Sequence, residues 1–325
     1  MPLRALAATL AAVAVVTLAG AVVPGGAAGA DEHELVRGLV ARHAADEPAL
    51  ASRATIAETS LTRTDDLRLA APDGRTWRYF VRAPRRGDAR GLAAVLVLAG
   101  IETGRESLAY VAERDDMVLL AMDYPFAGAE QLGGWALVGA LPELRAAALS
   151  TIEGAALGVA HLAGRPDVDP GRITVLGVSF GSIFAIALGA HDPRASAVVA
   201  IYGGGDLGRL ARRNLRAPWW LPSFLVGPIV RAWFGELEPL SHVAWIAPRR
   251  FLMAASTEDE MFPPSSAREL FERAGEPKQI LWYESGHMDL FDPELLRRLT
   301  GDVVARLQAS GLVGAQPGAA RSAAP

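Results

Sequence analysis

The stretch Ile173-Thr174-Val175-Leu176-Gly177-Val178-Ser179-Phe180-Gly181-Ser182 constrains the fold more than any other part of this chain. An apolar, β-branched run stops at a glycine, passes through a serine, and continues after a second glycine as the apolar run Ser182–Ala190. Strand, turn and helix follow one another with no room for a loop. The residues two positions before and after the serine must be small, because a side chain there would strike the strand or the helix in so tight a turn. The turn lifts Ser179 above the carboxyl edge of the sheet, where open α/β sheets place their sites.

The rest of the chain repeats this alternation. Strand-like runs occur at Leu67–Ala71, Thr76–Val81, Ala93–Leu98, Met117–Ala121, Ala197–Ile201, Phe251–Ala255 and Ile280–Tyr283, besides Ile173–Leu176. The first two flank the turn Pro72-Asp73-Gly74 and form a hairpin. The later runs are continuously apolar, as in parallel strands buried on both faces. Between them lie helical patterns at Pro142–Leu162, Ser182–Ala190, Ser265–Ala274 and Pro293–Leu307. These features predict an α/β fold with a doubly wound, mostly parallel sheet and an antiparallel start. The chain has 325 residues, of which 51% are hydrophobic and 21% charged, so it can bury one large core. A net charge of −4 argues against an extended nucleic-acid footprint. The sequence has no cysteine, which excludes disulfides, thiolate metal sites and a cysteine nucleophile.

Met1–Ala30 carries one charge, Arg4, then a short apolar centre and the small-residue ending Ala28-Gly29-Ala30. This is the pattern of a cleaved secretory signal peptide, so export to the periplasm or beyond is expected, with an uncleaved membrane anchor as the alternative. Residues 31–61 read as a helical extension outside the main domain, which spans 62–310; residues 311–325 read as a disordered tail. Two segments do not fit the alternation. One is Gln131–Leu141, which contains Trp135. The other, 203–245, reads as a small helical cap with Trp219, Trp220, Phe224, Trp233 and Phe234. A cap supplies the apolar wall of a pocket, so Trp219, Trp220 and Phe224 are candidate substrate contacts, as is Trp135 of the other segment. Arg209, Arg212, Arg213 and Arg216 beside these aromatics also suit a lid resting on a membrane surface.

A serine nucleophile needs a base. Of the six histidines, His33 and His43 lie in the N-terminal segment, His161 in a helix, His191 at the far end of the elbow helix and His242 in the cap. His287 lies in the loop leaving the last strand-like run and can reach a serine at the same sheet edge. The orienting acid is expected in Thr257-Glu258-Asp259-Glu260, after Phe251–Ala255. Asp259 is preferred if the loop alternates, and Asp206 is a weaker candidate. The amide of Phe180, at the helix start, can donate to an oxyanion.

These three motifs, Gly177-Val178-Ser179-Phe180-Gly181, then Thr257-Glu258-Asp259-Glu260 before Pro263-Pro264, then Ser285-Gly286-His287, resemble those of α/β-hydrolases. The likeness covers about Leu67–Leu307 and is nearest the dienelactone-hydrolase-like and prolyl-oligopeptidase-like branches. It implies the order Ser179, Asp259, His287 and gives the second oxyanion amide to Ile101. Many members have His-Gly at that loop, where this chain has Ala99-Gly100-Ile101-Glu102. Glu102 is then a candidate substrate contact, as a loop glutamate is in dienelactone hydrolases. The expected activity is hydrolysis of a small-molecule ester by a serine triad, with no metal or organic cofactor implied. A peptidase, or a non-catalytic binding protein on the same scaffold, stays open as an alternative.

Overall fold

Residues Leu92–Leu98 read LAAVLVL, with no side chain that favours water, and in the computed structural model they form a strand buried on both faces. The structure describes residues 32–44, 48–86, 89–126, 139–215, 221–288 and 292–314. Residues 1–30, Trp135, Trp219, Trp220 and positions 315–325 of the tail, all assigned roles above from sequence, lie outside the described residues.

Among the described residues, nine strands form one sheet. They are β1 (Ala49–Glu58), β2 (Thr62–Ala70), β3 (Thr76–Pro84), β4 (Leu92–Leu98), β5 (Met117–Met122), β6 (Val168–Val178), β7 (Ala195–Ile201), β8 (Arg250–Ser256) and β9 (Lys278–Tyr283). Their spatial order is β1-β2-β3-β5-β4-β6-β7-β8-β9. The pairings from β1 to β5 are antiparallel, and every pairing from β5/β4 onward is parallel. The order reverses around β4, which lies between β5 and β6. The carboxyl ends of β4 and β6 therefore flank a topological switch point, the usual binding crevice of an open sheet.

The described residues also form eight α-helices: α1 (Glu32–Arg42), α2 (Leu141–Ala163), α3 (Gly181–His191), α4 (Leu207–Asn214), α5 (Ser223–Phe234), α6 (Pro239–His242), α7 (Pro264–Arg273) and α8 (Pro293–Ala309). The pleat divides the core between the two faces. Ala94, Leu96 and Leu98 of β4 pack with Ile152, Leu157 and Val159 of α2 and Phe184 and Leu188 of α3. Ala93, Val95 and Val97 face the other way, into a cluster containing Leu299, Val303 and Leu307 of α8. α2 is long and apolar enough to cross a membrane, yet most of it is buried against the sheet. It approaches so closely that a Cβ on Gly154 would lie 2.4 Å from the Trp77 ring.

The expectation of a helical 31–61 is corrected. The helix ends at Arg42, and Ala49–Glu58 is a strand paired antiparallel with β2 in the register Ala49↔Ala70 to Glu58↔Arg63. All ten residues of β1 are exposed. Backbone pairing with β2 and the contacts of Arg53 and Thr55 with the buried Asp65, each 2.7 Å, hold it in place. The cap region folds as α4, α5, a 3₁₀ turn at Gly235–Leu237, α6 and a second 3₁₀ turn at Val243–Ile246.

Candidate active site

The sharpness of the turn after β6 follows from its glycines. A Cβ on Gly177 would lie 2.5 Å from the Gly181 carbonyl oxygen, and one on Gly181 would lie 1.9 Å from that of Leu98. Only bare backbone lets strand, turn and helix approach this closely. Ser179 takes φ = +52°, a left-handed conformation that is uncommon for a residue with a side chain. Its amide donates to the Ile201 carbonyl at 2.8 Å, which fixes the turn to β7. Ser182 is fully buried and its hydroxyl donates back to the Ser179 carbonyl at 2.6 Å. Ser182 thus closes the first turn of α3 and has no access to the crevice.

Ser179 Oγ lies 2.9 Å from His287 Nε2. On the other side of the ring, Nδ1 lies 3.0 and 2.9 Å from the two carboxylate oxygens of Asp259. A carboxylate accepts, so Nδ1 carries the proton and Nε2 presents its lone pair to the serine. Asp259 is held in turn. Its Oδ1 accepts the amides of Met261 and Phe262 at 2.8 and 2.7 Å, and the residue is only 3% exposed. Asp206, the weaker candidate, caps α4 and pairs with Arg231 at 2.8 Å instead.

Several residues around this array take parts that the sequence did not assign to them. Glu260 Oε2 accepts the His287 amide at 3.0 Å, and this hydrogen bond holds the Glu260 carboxyl below its usual range. The Phe262 ring stacks on the imidazole at 5.8 Å, and Tyr202 meets it edge-on at 5.7 Å. The Tyr202 hydroxyl is 2.7 Å from Ser285 Oγ, on the loop that carries His287. The proline after the acid loop was the one local signal for Phe262. Tyr202 gave none, since only the fold brings it there.

The chains leaving β4 and β6 run side by side, because the register pairs Leu98 with Gly177. Ile101 and Phe180 are therefore on neighbouring loops, and they are 38% and 36% exposed. Among the described residues, neither backbone amide has a hydrogen-bond acceptor. Tyr124 spans the two loops: its hydroxyl donates to the Ala99 carbonyl and its ring lies 5.5 Å from that of Phe180. Glu102 is exposed on the same loop as Ile101.

The cap is tied to the acid loop. Asn214, the last residue of α4, donates to the Met261 carbonyl at 2.8 Å, and Arg213 donates to that of Glu260. Arg209 pairs with Asp206 and Glu269. Two of the four arginines that suited a membrane-facing lid are thus engaged within the protein. Phe224, in the first turn of α5, is 65% exposed.

No family model matches the chain. None of the curated proteins matches it in sequence. Solved structures match it closely in shape. An acetyl xylan esterase from a Paenibacillus species superposes with a TM-score of 0.60 at 20% identity, covering 86% of this chain and 96% of that one. A second acetyl xylan esterase, from a Thermoanaerobacterium species, gives 0.58 at 19% identity over 84% of this chain and 93% of its own. A puromycin-hydrolyzing peptidase of Mycobacterium tuberculosis gives 0.61 at 19% identity, over 82% of this chain but 42% of that longer one. These likenesses establish the α/β-hydrolase fold for this chain.

Proposed function

We propose that this chain is a serine hydrolase that cleaves carboxylic esters through an acyl-enzyme. The observation that carries the reading is the unbroken hydrogen-bonded array Ser179–His287–Asp259 at the switch point of the sheet. In this reading Ser179 Oγ attacks the ester carbonyl while His287 Nε2 takes its proton. Asp259 holds the imidazole tautomer and stabilises the imidazolium. The amides of Phe180 and Ile101 donate to the oxyanion, and Tyr124 keeps their two loops together. His287 then protonates the leaving alcohol. It next takes a proton from water, which attacks the acyl-serine and releases the acid.

The acetyl xylan esterases that share the fold over nearly their whole length support an ester of a short acyl group as the substrate class. Glu102 and Phe224 are assigned as substrate contacts, and Trp135, Trp219 and Trp220 are candidates on sequence grounds alone. The pattern of residues 1–30 supports export, and mass spectrometry of the exported protein should find a start near Asp31. The test of the reaction is labelling by a fluorophosphonate followed by peptide mapping. The reagent should modify Ser179, and Ser179→Ala should abolish both labelling and turnover of short-chain chromogenic esters. Turnover of amide substrates but not esters would move the assignment to a peptidase. Absence of label on Ser179 in protein that turns over esters would reject the mechanism.

A further inference from the structure

Three histidines from distant parts of the chain meet at the end of α3 opposite Ser179. His33 is on the first turn of α1, His191 is the last residue of α3, and His242 is the last residue of α6. We propose that they bind a divalent transition-metal ion, zinc by the chemistry of an all-imidazole set, which fastens α1 and the cap to the helix behind the elbow. His33 Nδ1 lies 3.2 Å and His191 Nε2 lies 3.1 Å from His242 Nδ1, and the three ligand atoms lie within 4.8 Å of one another.

The tautomers favour a cation at this point. His242 Nε2 is 2.7 Å from the Glu236 carbonyl, which can only accept, so Nε2 carries the proton and Nδ1 presents its lone pair. Two other ring nitrogens converge on that one lone pair, which accommodates a single well-aligned donor. A metal ion between the three rings would take a lone pair from each. With metal–nitrogen bonds of about 2.0–2.1 Å, tetrahedral ligands lie about 3.3 Å apart, close to the 3.2 and 3.1 Å that separate His242 Nδ1 from the His33 and His191 nitrogens. The Glu236 carbonyl would then be the outer partner that fixes the orientation of a ligating histidine. The negative end of the α3 dipole also favours a cation beside His191. His242 is fully buried, and the Trp245 ring lies 5.2 Å from His33 and 6.3 Å from His191.

Imidazole-only sites suit zinc, copper and nickel rather than magnesium or calcium. Three protein ligands leave a coordination position for water. The 11 residues of α3 separate this centre from Ser179 by about 16 Å, so the ion would brace the fold and take no part in ester chemistry. The site does not rest on the proposed hydrolase activity.

The test uses full-length protein, stripped with a chelator, dialysed and titrated with Zn²⁺ by calorimetry. Co²⁺ loading reports the coordination through its d–d absorption. One equivalent of Zn²⁺ should bind and raise the thermal midpoint. His33→Gln and His191→Gln should each weaken binding by about 100-fold or more. Neither position is fully buried, so both variants are expected to fold, and circular dichroism checks this; the buried His242 is left intact. Wild-type protein that takes up no more zinc than the double variant H33Q/H191Q would overturn the proposal. Equal affinity in the wild type and both single variants would do the same.

Discussion

Gly181 packs its bare Cα against the carbonyl of Leu98, so closely that a Cβ would lie 1.9 Å from the oxygen. The contact binds the helix behind Ser179 to the strand whose exit carries Ile101. The distance between Ser179 and the loop of Ile101 is thus set by backbone rather than by side-chain packing. The obstructing atoms belong to Leu98 and Ala99 backbone, so no rotamer change relieves the clash. Gly181→Ala should therefore destabilise the protein by about 3 kcal/mol or more, read from urea unfolding. Gly38, in the exposed part of α1 with nothing within 4 Å of a Cβ, is the control. There Ala should be neutral or stabilise by up to about 1 kcal/mol.

The acids of the loop after β8 should separate cleanly. Asp259→Asn removes the charge that stabilises the imidazolium and lets an amide NH2 donate to Nδ1, which selects the wrong tautomer, and should lower turnover by about four orders of magnitude. Glu260→Gln keeps an oxygen that can accept the His287 amide, so a loss of about tenfold or less is expected. Glu258→Gln should be silent. Steady-state kinetics on one chromogenic ester decides this. A crippled Glu258→Gln with a mild Asp259→Asn would show that the hydrogen bonds to His287 do not report the reacting state.

What was legible in the sequence divides along physical lines. β4, β6, β7 and β8 were plain because strands buried on both faces leave continuous apolar runs. β1 left no such trace: ALASRATIAE buries neither face, so neither alternation nor an apolar run marks it. Ser179 and its turn were legible because their constraints are local, whereas Asp259 needed an assumption about loop register. Tyr202, with φ = +52°, reaches His287 only through the order of β7 and β8 in the sheet. His242 meets His191 across 51 residues and His33 across 209, and no spacing rule joins positions so far apart.

Glu153 lies buried on α2 and joins Arg42 of α1 to Arg75 of the β2–β3 turn. Burial pushes its carboxyl pKa up, but the Arg75 hydrogen bond and the charges of Arg75 and Arg42 outweigh this and hold it below the usual range. The unfolded chain therefore binds the proton more tightly, and the stabilisation is lost as pH falls. Glu153→Gln should cost about 2 kcal/mol near neutrality, since both arginines are partly exposed to solvent. The gap to wild type should be complete above the ordinary carboxyl value of 4.5 and should shrink below it.

His161 supplies a second acid sensitivity in a different window. Burial, and then the charges of Arg165 and Arg53 against the weaker pull of Asp167, lower its pKa from 6.5 to about 4. The unfolded chain takes up the proton first, so this group destabilises the fold as pH falls from 6.5 towards 4. His161→Gln cannot titrate. Urea midpoints of the two proteins should converge, or the variant should overtake, between neutrality and pH 4. Parallel curves would mean that the folded protein protonates His161 normally.

The cap and Asp259 share an anchorage that can be loosened without touching Ser179 or His287. Asn214 and Arg213 hold the carbonyls of Met261 and Glu260, the two residues after Asp259. Met261 is also one of the two amides that fix the Asp259 carboxylate. Removing both anchors lets the loop sample conformations in which Asp259 no longer lies in line with Nδ1. Arg213→Ala with Asn214→Ala should therefore lower kcat by about tenfold, while removing these two exposed hydrogen bonds should cost about 1 kcal/mol or less of stability. Phe224→Ala provides the contrast within the same cap. That ring is mostly exposed, so its loss should leave stability within about 0.5 kcal/mol and kcat on the shortest esters unchanged. Its effect should appear as a higher KM for longer acyl chains. Kinetics on esters of graded chain length, with urea unfolding of each variant, separate the two roles. A double variant that loses only stability would show that the anchorage supports the cap alone and leaves Asp259 in place.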